Sequence, residues 1–252
     1  MPPLKSLKRI NNAPDIKKKM KRYQWITASI LVIASTSFAH AQSSFEGFYG
    51  QLGVGFENNV IGGASPTIVN SGGSYSGSST SSSSALSPAL VVGVGYISVI
   101  SPQFSLGVGL DYSGLPVKTS TANSTVSDLS ASYAYDYRIA NRISAYISPG
   151  YIIDQNKLAY AKLGFSGEQV SSKMQSGSGG AESGNQKAGG FVVGLGYKQI
   201  ISGGFYGFGE VNYYGYKMPV TTITLDPSGG KLNGNANSLN AYQFLAGVGY
   251  KF

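Results

Sequence analysis

The 252 residues carry 19 Lys and Arg against 11 Asp and Glu, no Cys and a single His, with 35 Gly and 18 Tyr. Eight of the 19 cations (Lys5, Lys8, Arg9, Lys17, Lys18, Lys19, Lys21 and Arg22) lie before residue 42, against one acid, Asp15. Residues 42–252 therefore hold 11 cations and 10 acids, a net charge of +1, so the basic pI is no sign of nucleic-acid binding.

The first segment reads as a leader. Lys17, Lys18, Lys19, Lys21 and Arg22 precede an apolar run from Trp25 to Ala34, and Ala39-His40-Ala41 follows. A basic region, a short apolar core and a small-x-small site describe a secretory signal peptide over 1–41, cleaved before Gln42. A transmembrane helix needs about 20 apolar residues, roughly twice this run. Met20-Lys21-Arg22 makes Met20 a second candidate for the translation start. Cleavage removes the only His (His40) and the only Trp (Trp25).

From residue 45 onward the dominant signal is alternation with period two. Phe48, Leu52, Val54 and Phe56 alternate with Tyr49, Gln51, Gly53, Gly55 and Glu57; Phe104, Leu106, Val108, Leu110 and Tyr112 with Ser105, Gly107, Gly109 and Asp111. The pattern returns at Phe191, Val193, Leu195 and Tyr197, and at Tyr242, Phe244, Ala246, Val248, Tyr250 and Phe252. A Gly-x-Gly pair recurs at 53/55, 93/95, 107/109, 194/196 and 247/249, always on the less bulky face. None continues to a third glycine or opens a helix, so a phosphate-binding reading fails. Glycines on one face instead make room for side chains crossing a narrow interior.

Charge separates a soluble barrel from a membrane one. A water-facing surface would carry many charges, yet each polar face here holds about one among Gly, Ser, Ala and Gln. Such a face suits an enclosed lumen, and the Phe/Leu/Val/Tyr face suits lipid. Short turns at Ser101-Pro102, Asp154-Gln155-Asn156 and Ser202-Gly203-Gly204 alternate with long segments 59–83, 113–128, 169–187 and 217–239. The strands are then 45–58, 86–99, 103–113, 129–153, 158–168, 188–199, 205–216 and 240–252. Segment 129–153 is one long strand because its apolar residues, from Leu129 through Ile139 and Ile143 to Tyr151, are all odd-numbered. The fold class is all-β: one antiparallel up-and-down transmembrane barrel of eight strands over 42–252, with long extracellular loops and short periplasmic turns.

Phe45-Glu-Gly-Phe-Tyr-Gly-Gln-Leu-Gly-Val-Gly55, Ser148-Pro-Gly-Tyr151, Leu158-Ala-Tyr-Ala-Lys-Leu-Gly164 and Ala246-Gly-Val-Gly-Tyr-Lys-Phe252 resemble the small outer-membrane barrels of the opacity-protein/OmpA-like group, often labelled porin family. The resemblance spans 45–252. It implies a bacterial outer-membrane location and biogenesis through periplasmic chaperones and the barrel-assembly machinery, with Tyr250 and Phe252 in the assembly signal. It also implies contact with outer-membrane lipid and lipopolysaccharide, and a surface ligand, if any, at the four long segments.

Catalysis finds little support. Residues 42–252 contain neither His nor Cys, which removes His-dependent hydrolysis and a transition-metal site, and nothing points to a cofactor. Glu57, Asp111 and Glu210 fall on interior faces together with Arg142, Lys162 and Lys198, three charges of each sign. Buried charges pair, so these six are expected to form a structural ion-pair network. Eight strands enclose a space that side chains fill, which favours a structural or surface-interaction barrel over a narrow solute channel.

Overall fold

The computed structural model describes residues 44–63, 67–70, 73–76, 82–119, 122–126, 131–176, 183–217, 221–225, 230–234 and 238–252. The expected leader, its cleavage site and Met20 lie outside the described residues.

Fourteen strands follow in chain order: β1 Gly47–Ile61, β2 Thr67–Asn70, β3 Gly73–Ser76, β4 Ser83–Ser101, β5 Phe104–Ser113, β6 Val117–Lys118, β7 Ala122–Val126, β8 Ala131–Asp154, β9 Lys157–Ser176, β10 Ser183–Ser202, β11 Phe205–Lys217, β12 Thr221–Leu225, β13 Gly230–Gly234 and β14 Leu239–Lys251. Eight of them close a ring in the order β1-β4-β5-β8-β9-β10-β11-β14, every neighbour antiparallel. This is the eight-stranded up-and-down barrel that the alternation requires. Closure gives every barrel strand two partners, so no open sheet edge faces lipid.

Three two-residue hairpins join strands at one end, closed by the pairs Ser101↔Phe104, Asp154↔Lys157 and Ser202↔Phe205. Local chemistry makes each turn. Pro102 has its φ fixed, Gly203 takes φ +56°, and the Asp154 carboxylate accepts from Asn156 N–H at 2.8 Å and from Lys157 Nζ at 2.7 Å. The Lys157 ammonium and that backbone donor hold the exposed Asp154 carboxyl below the ordinary carboxylate range. At the opposite end the strands run on into the long segments. There β6 and β7 pair with β8, and β12-β13-β2-β3 form a separate four-stranded sheet built from the first and last long segments.

The outer wall is a belt of exposed apolar side chains, including Leu52, Val94, Val108, Ile147, Leu163, Leu195 and Val248. Aromatic pairs edge it near the hairpins (Phe48–Tyr96 at 4.8 Å, Phe205–Tyr250 at 4.8 Å, Phe104–Tyr151 at 5.6 Å). Others edge it toward the long segments (Tyr213–Tyr242 at 5.2 Å, Phe191–Tyr213 at 5.9 Å). Phe165, 80% exposed, would be costly in water and is at home against acyl chains.

Inside, the recurring glycines have a specific job. Tyr49 faces Gly95, Tyr146 faces Gly109, Tyr160 faces Gly196, Tyr206 faces Gly249, Phe208 faces Gly247 and Tyr216 faces Gly190, each pair directly opposite on adjacent strands. A Cβ on any of these glycines would strike the partner's ring or side chain. Each ring lies flat across the bare backbone beside it, which lets bulky residues fill a lumen one side chain wide.

One expectation is corrected. Segment 131–154 is a single strand, but its phase does change. Between Ala140↔Gln169 and Ile143↔Gly167, β8 advances three residues while β9 advances two. The extra residue forms a bulge at Asn141, whose φ is +54°; its side chain accepts from Tyr112 OH at 3.0 Å and donates to Gln169 at 2.9 Å. A one-residue insertion exchanges the two faces. Ile139 therefore lies inside the lumen and Ile143 outside, although both are odd-numbered apolar residues.

Gly196→Ala and Gly249→Ala should each destabilise the folded barrel by about 1–3 kcal/mol, the usual cost of overpacking. Gly189→Ala, with open space at its Cβ, should leave stability unchanged. Urea unfolding in lipid vesicles reads the difference.

Candidate functional site

The lumen is layered. An apolar and aromatic cluster containing Phe45, Ile97, Ile152, Leu158 and Tyr206 fills the hairpin end. A second, containing Ile61, Val117, Ile139, Val170 and Leu239, fills the long-segment end. Between them lie charged and amide side chains with almost no exposure, including Lys162 and Gln243, both fully buried.

Two ion triads organise this middle layer. In the first, Arg142 contacts Glu57 through Nη1 and Glu168 through Nη2 (2.8 Å) and Nε (2.9 Å). Its guanidinium also lies 4.3 Å from the centre of the Tyr214 ring. In the second, Lys162 Nζ lies 2.6 Å from Asp111 and 2.5 Å from Glu210. Tyr146 OH donates to Asp111 at 3.0 Å, and Tyr160 OH donates to Glu210 at 2.7 Å. Gln243 and Asn212 link the triads: Gln243 Nε2 donates to Glu57 at 2.7 Å, its Oε1 accepts from Asn212 at 3.2 Å and from Tyr214 OH at 3.1 Å, and Asn212 Nδ2 donates to Glu210 at 2.6 Å.

The triads brace strands that are not neighbours. Arg142 on β8 reaches Glu57 on β1, three strands around the ring, and Lys162 on β9 reaches β5 and β11, two strands away on either side. Arg142 takes its place immediately after the Asn141 bulge, the point at which even-numbered residues of β8 turn inward.

Of the six charges expected to pair, Glu57, Asp111, Glu210, Arg142 and Lys162 are brought into these triads. Lys198 is not. It is buried, but its ammonium faces the Tyr49, Tyr206 and Tyr160 rings at 3.8, 4.8 and 5.4 Å, with a 3.5 Å hydrogen bond to Tyr206 OH. Cation–π attraction stands there in place of a carboxylate. The balance of three charges of each sign is also corrected, because Glu168 is a fourth acid in the lumen triads. Glu168 continues the even-numbered inward row of Leu158, Tyr160, Lys162 and Ser166, two residues past Ser166, inside a strand that runs on to Ser176.

What the arrangement can do chemically is limited. Each of the four lumen acids, Glu57, Asp111, Glu168 and Glu210, is held by a cation. Among the described residues no three His, Cys, Asp or Glu side chains converge as a metal set. Beside Lys198 a cavity of about 10 Å³, bordered by Tyr49, Gln51, Ser105, Ser148 and Tyr160, has room for about one water molecule.

The model of the outer membrane protein beta-barrel domain matches residues 26–252. The chain belongs to this family. The family's members are bacterial outer membrane proteins, and the exposed apolar belt has the character of a lipid-facing wall. Similar solved structures include the attachment invasion locus protein Ail of Yersinia pestis (12% identity over 81% of this chain and 99% of that one, TM-score 0.37). Neisserial surface protein A (15%, 81% and 97%, TM-score 0.40) and OprG of Pseudomonas aeruginosa (15%, 82% and 96%, TM-score 0.44) are two more. No curated protein matches the sequence.

Lys162→Met should destabilise the barrel by about 3–5 kcal/mol, because it leaves Asp111 and Glu210 facing each other with no cation between them. Adding Asp111→Asn and Glu210→Gln to that variant should recover most of the loss. Urea unfolding midpoints of the three proteins in vesicles provide the comparison.

Proposed function

We propose that this protein resides in the bacterial outer membrane as a sealed barrel with a structural or surface-interaction role, and that it neither conducts solutes nor catalyses a reaction. The observation that carries this reading is the layered lumen. Two triads linked through Gln243 and Asn212 cross the interior, and each end is filled by an apolar cluster. A water column would have to displace paired charges whose separation costs several kcal/mol per ion. The absence of His and Cys from residues 42–252 supports a non-catalytic role. The long-segment end, where β2, β3, β12 and β13 form their own sheet, is the surface best placed to meet a partner.

In planar bilayers the purified protein should show no steady conductance, and Arg142→Ala or Lys162→Ala should produce leak currents or loss of folded protein. A large, stable single-channel conductance in the unmutated protein would overturn the sealed reading in favour of a narrow channel.

Tyr250 and Phe252 serve assembly in this proposal. Phe252 is 77% exposed, its ring lies 5.2 Å from that of Tyr250, and its N–H donates to Phe48 C=O at 2.8 Å. Its ring adds little to the packed interior, so a role in recognition during insertion accounts for it better than one in stability. Deleting Phe252 should lower the amount inserted in cells while leaving refolding into detergent largely intact. Undiminished insertion in cells would count against an assembly signal at this residue.

A further inference from the structure

Among the described lumen charges, Lys198 alone stands outside the ion pairs. Its side chain is buried, and no carboxylate pairs with it among the described residues. The ammonium meets three tyrosine rings and makes one hydrogen bond, 3.5 Å long, to Tyr206 OH. An ammonium carries three N–H donors, so two are left over. A ring face attracts the charge, but it is no substitute for an acceptor on those donors.

The ammonium borders the cavity of about 10 Å³ together with Ser105 on β5, Ser148 on β8 and Gln51 on β1. Ile97 and Leu158, from the apolar cluster of the hairpin end, complete that side. The tyrosine protons nearby are already committed. Tyr146 donates to Asp111, so Tyr49 is the donor in its 3.2 Å contact with Tyr146. Tyr160 donates to Glu210, and Tyr206 donates to Gln51 Oε1 at 3.1 Å. The two serine hydroxyls are different. Ser105 stands opposite Gly150 and Ser148 opposite Gly107, so the facing position on the neighbouring strand offers no side-chain acceptor. Neither hydroxyl has a partner among the described residues. With its Oε1 occupied, Gln51 has only N–H donors to spare. No carboxylate borders the cavity.

We infer that this cavity binds one halide ion, chloride under ordinary conditions, with Lys198 as its counter-charge and Ser105 and Ser148 as its hydrogen-bond donors. A halide and a water molecule are close in size, and hydrogen bonding decides between them. Water brings two protons into a place already rich in donors, whereas a halide only accepts. Lys162, Asp111 and Glu210 together carry one net negative charge, which confines the site to a monovalent ion and to weak binding. The apolar cluster covers the site from the hairpin end, so the ion enters as the barrel closes. Stability then depends on the halide content of the surroundings. The sealed reading does not depend on this ion, and conductance measurements test it separately.

The test refolds the protein into lipid vesicles while chloride replaces gluconate, an anion too large for the cavity, at constant ionic strength. For a dissociation constant of about 1 mM, raising chloride from about 10 to about 100 mM should increase the folded-to-unfolded ratio about ninefold. Urea midpoints read that change. Lys198→Met should abolish the chloride response. Because it removes a buried charge that lacks a partner, it should also be no less stable than the unmutated protein in gluconate. Ser105→Ala/Ser148→Ala keeps the cation and should shift the response to higher chloride; it carries the test if Lys198→Met does not refold. Crystals of the protein grown in bromide should show an anomalous-scattering peak beside Lys198 Nζ. Equal midpoints in chloride and gluconate, or a response undiminished in the variants, would overturn the site. A water molecule beside Lys198 with no bromide peak would do the same.

Discussion

Closing eight strands into a ring leaves an interior wide enough for side chains and little else, and the rest of this molecule follows from that confinement. Rings and carboxylates pointing inward from opposite walls compete for the same space. The chain resolves the competition by omitting a side chain beside six of its inward aromatics. Tyr160 can lie across the lumen because Gly196 stands next to it, and Tyr206 because Gly249 does.

The same confinement explains the form of the charged layer. An ion in a dry interior must be met from several directions, and a narrow ring brings distant strands within reach of one another. Arg142 and Lys162 each lie between two acids, and tyrosine hydroxyls and amides donate further bonds to Glu57, Asp111 and Glu210. Arg142–Glu57 and both ion pairs of Lys162 tie strands that share no backbone hydrogen bonds. The ladders hold neighbours together, and the ions hold the circle in shape.

Much of this was legible in the sequence because period-two alternation is a direct print of a two-faced strand. The eight strands, their hairpins and the glycine-bearing inner face could all be read from it, as could the inward direction of Glu57, Asp111, Lys162 and Glu210. The departures share one cause: alternation reports faces and is blind to count. The bulge at Asn141 exchanges the faces of β8, yet apolar residues occupy odd positions on both sides of it, some filling the lumen and some meeting lipid. Glu168, the last residue of the expected strand 158–168, shares the even-numbered phase of Lys162, and the continuation of β9 to Ser176 is what holds it in the inward row. The surroundings of Lys198 depend on three tyrosines from three strands, Tyr49, Tyr160 and Tyr206, and no local pattern encodes that meeting.

The ring-over-glycine pairs also bear on how such a chain can change over generations. Each pair splits one volume between two strands, so neither position is free to vary by itself. A methyl gained at Gly196 is tolerable only after Tyr160 has become smaller, and a smaller residue at position 160 leaves a void until position 196 has grown. Exchanges of that kind must pass through an intermediate that is either crowded or hollow. The inner wall should therefore drift slowly and by coupled steps, whereas the lipid-facing wall, where any apolar side chain serves, can be rewritten one residue at a time.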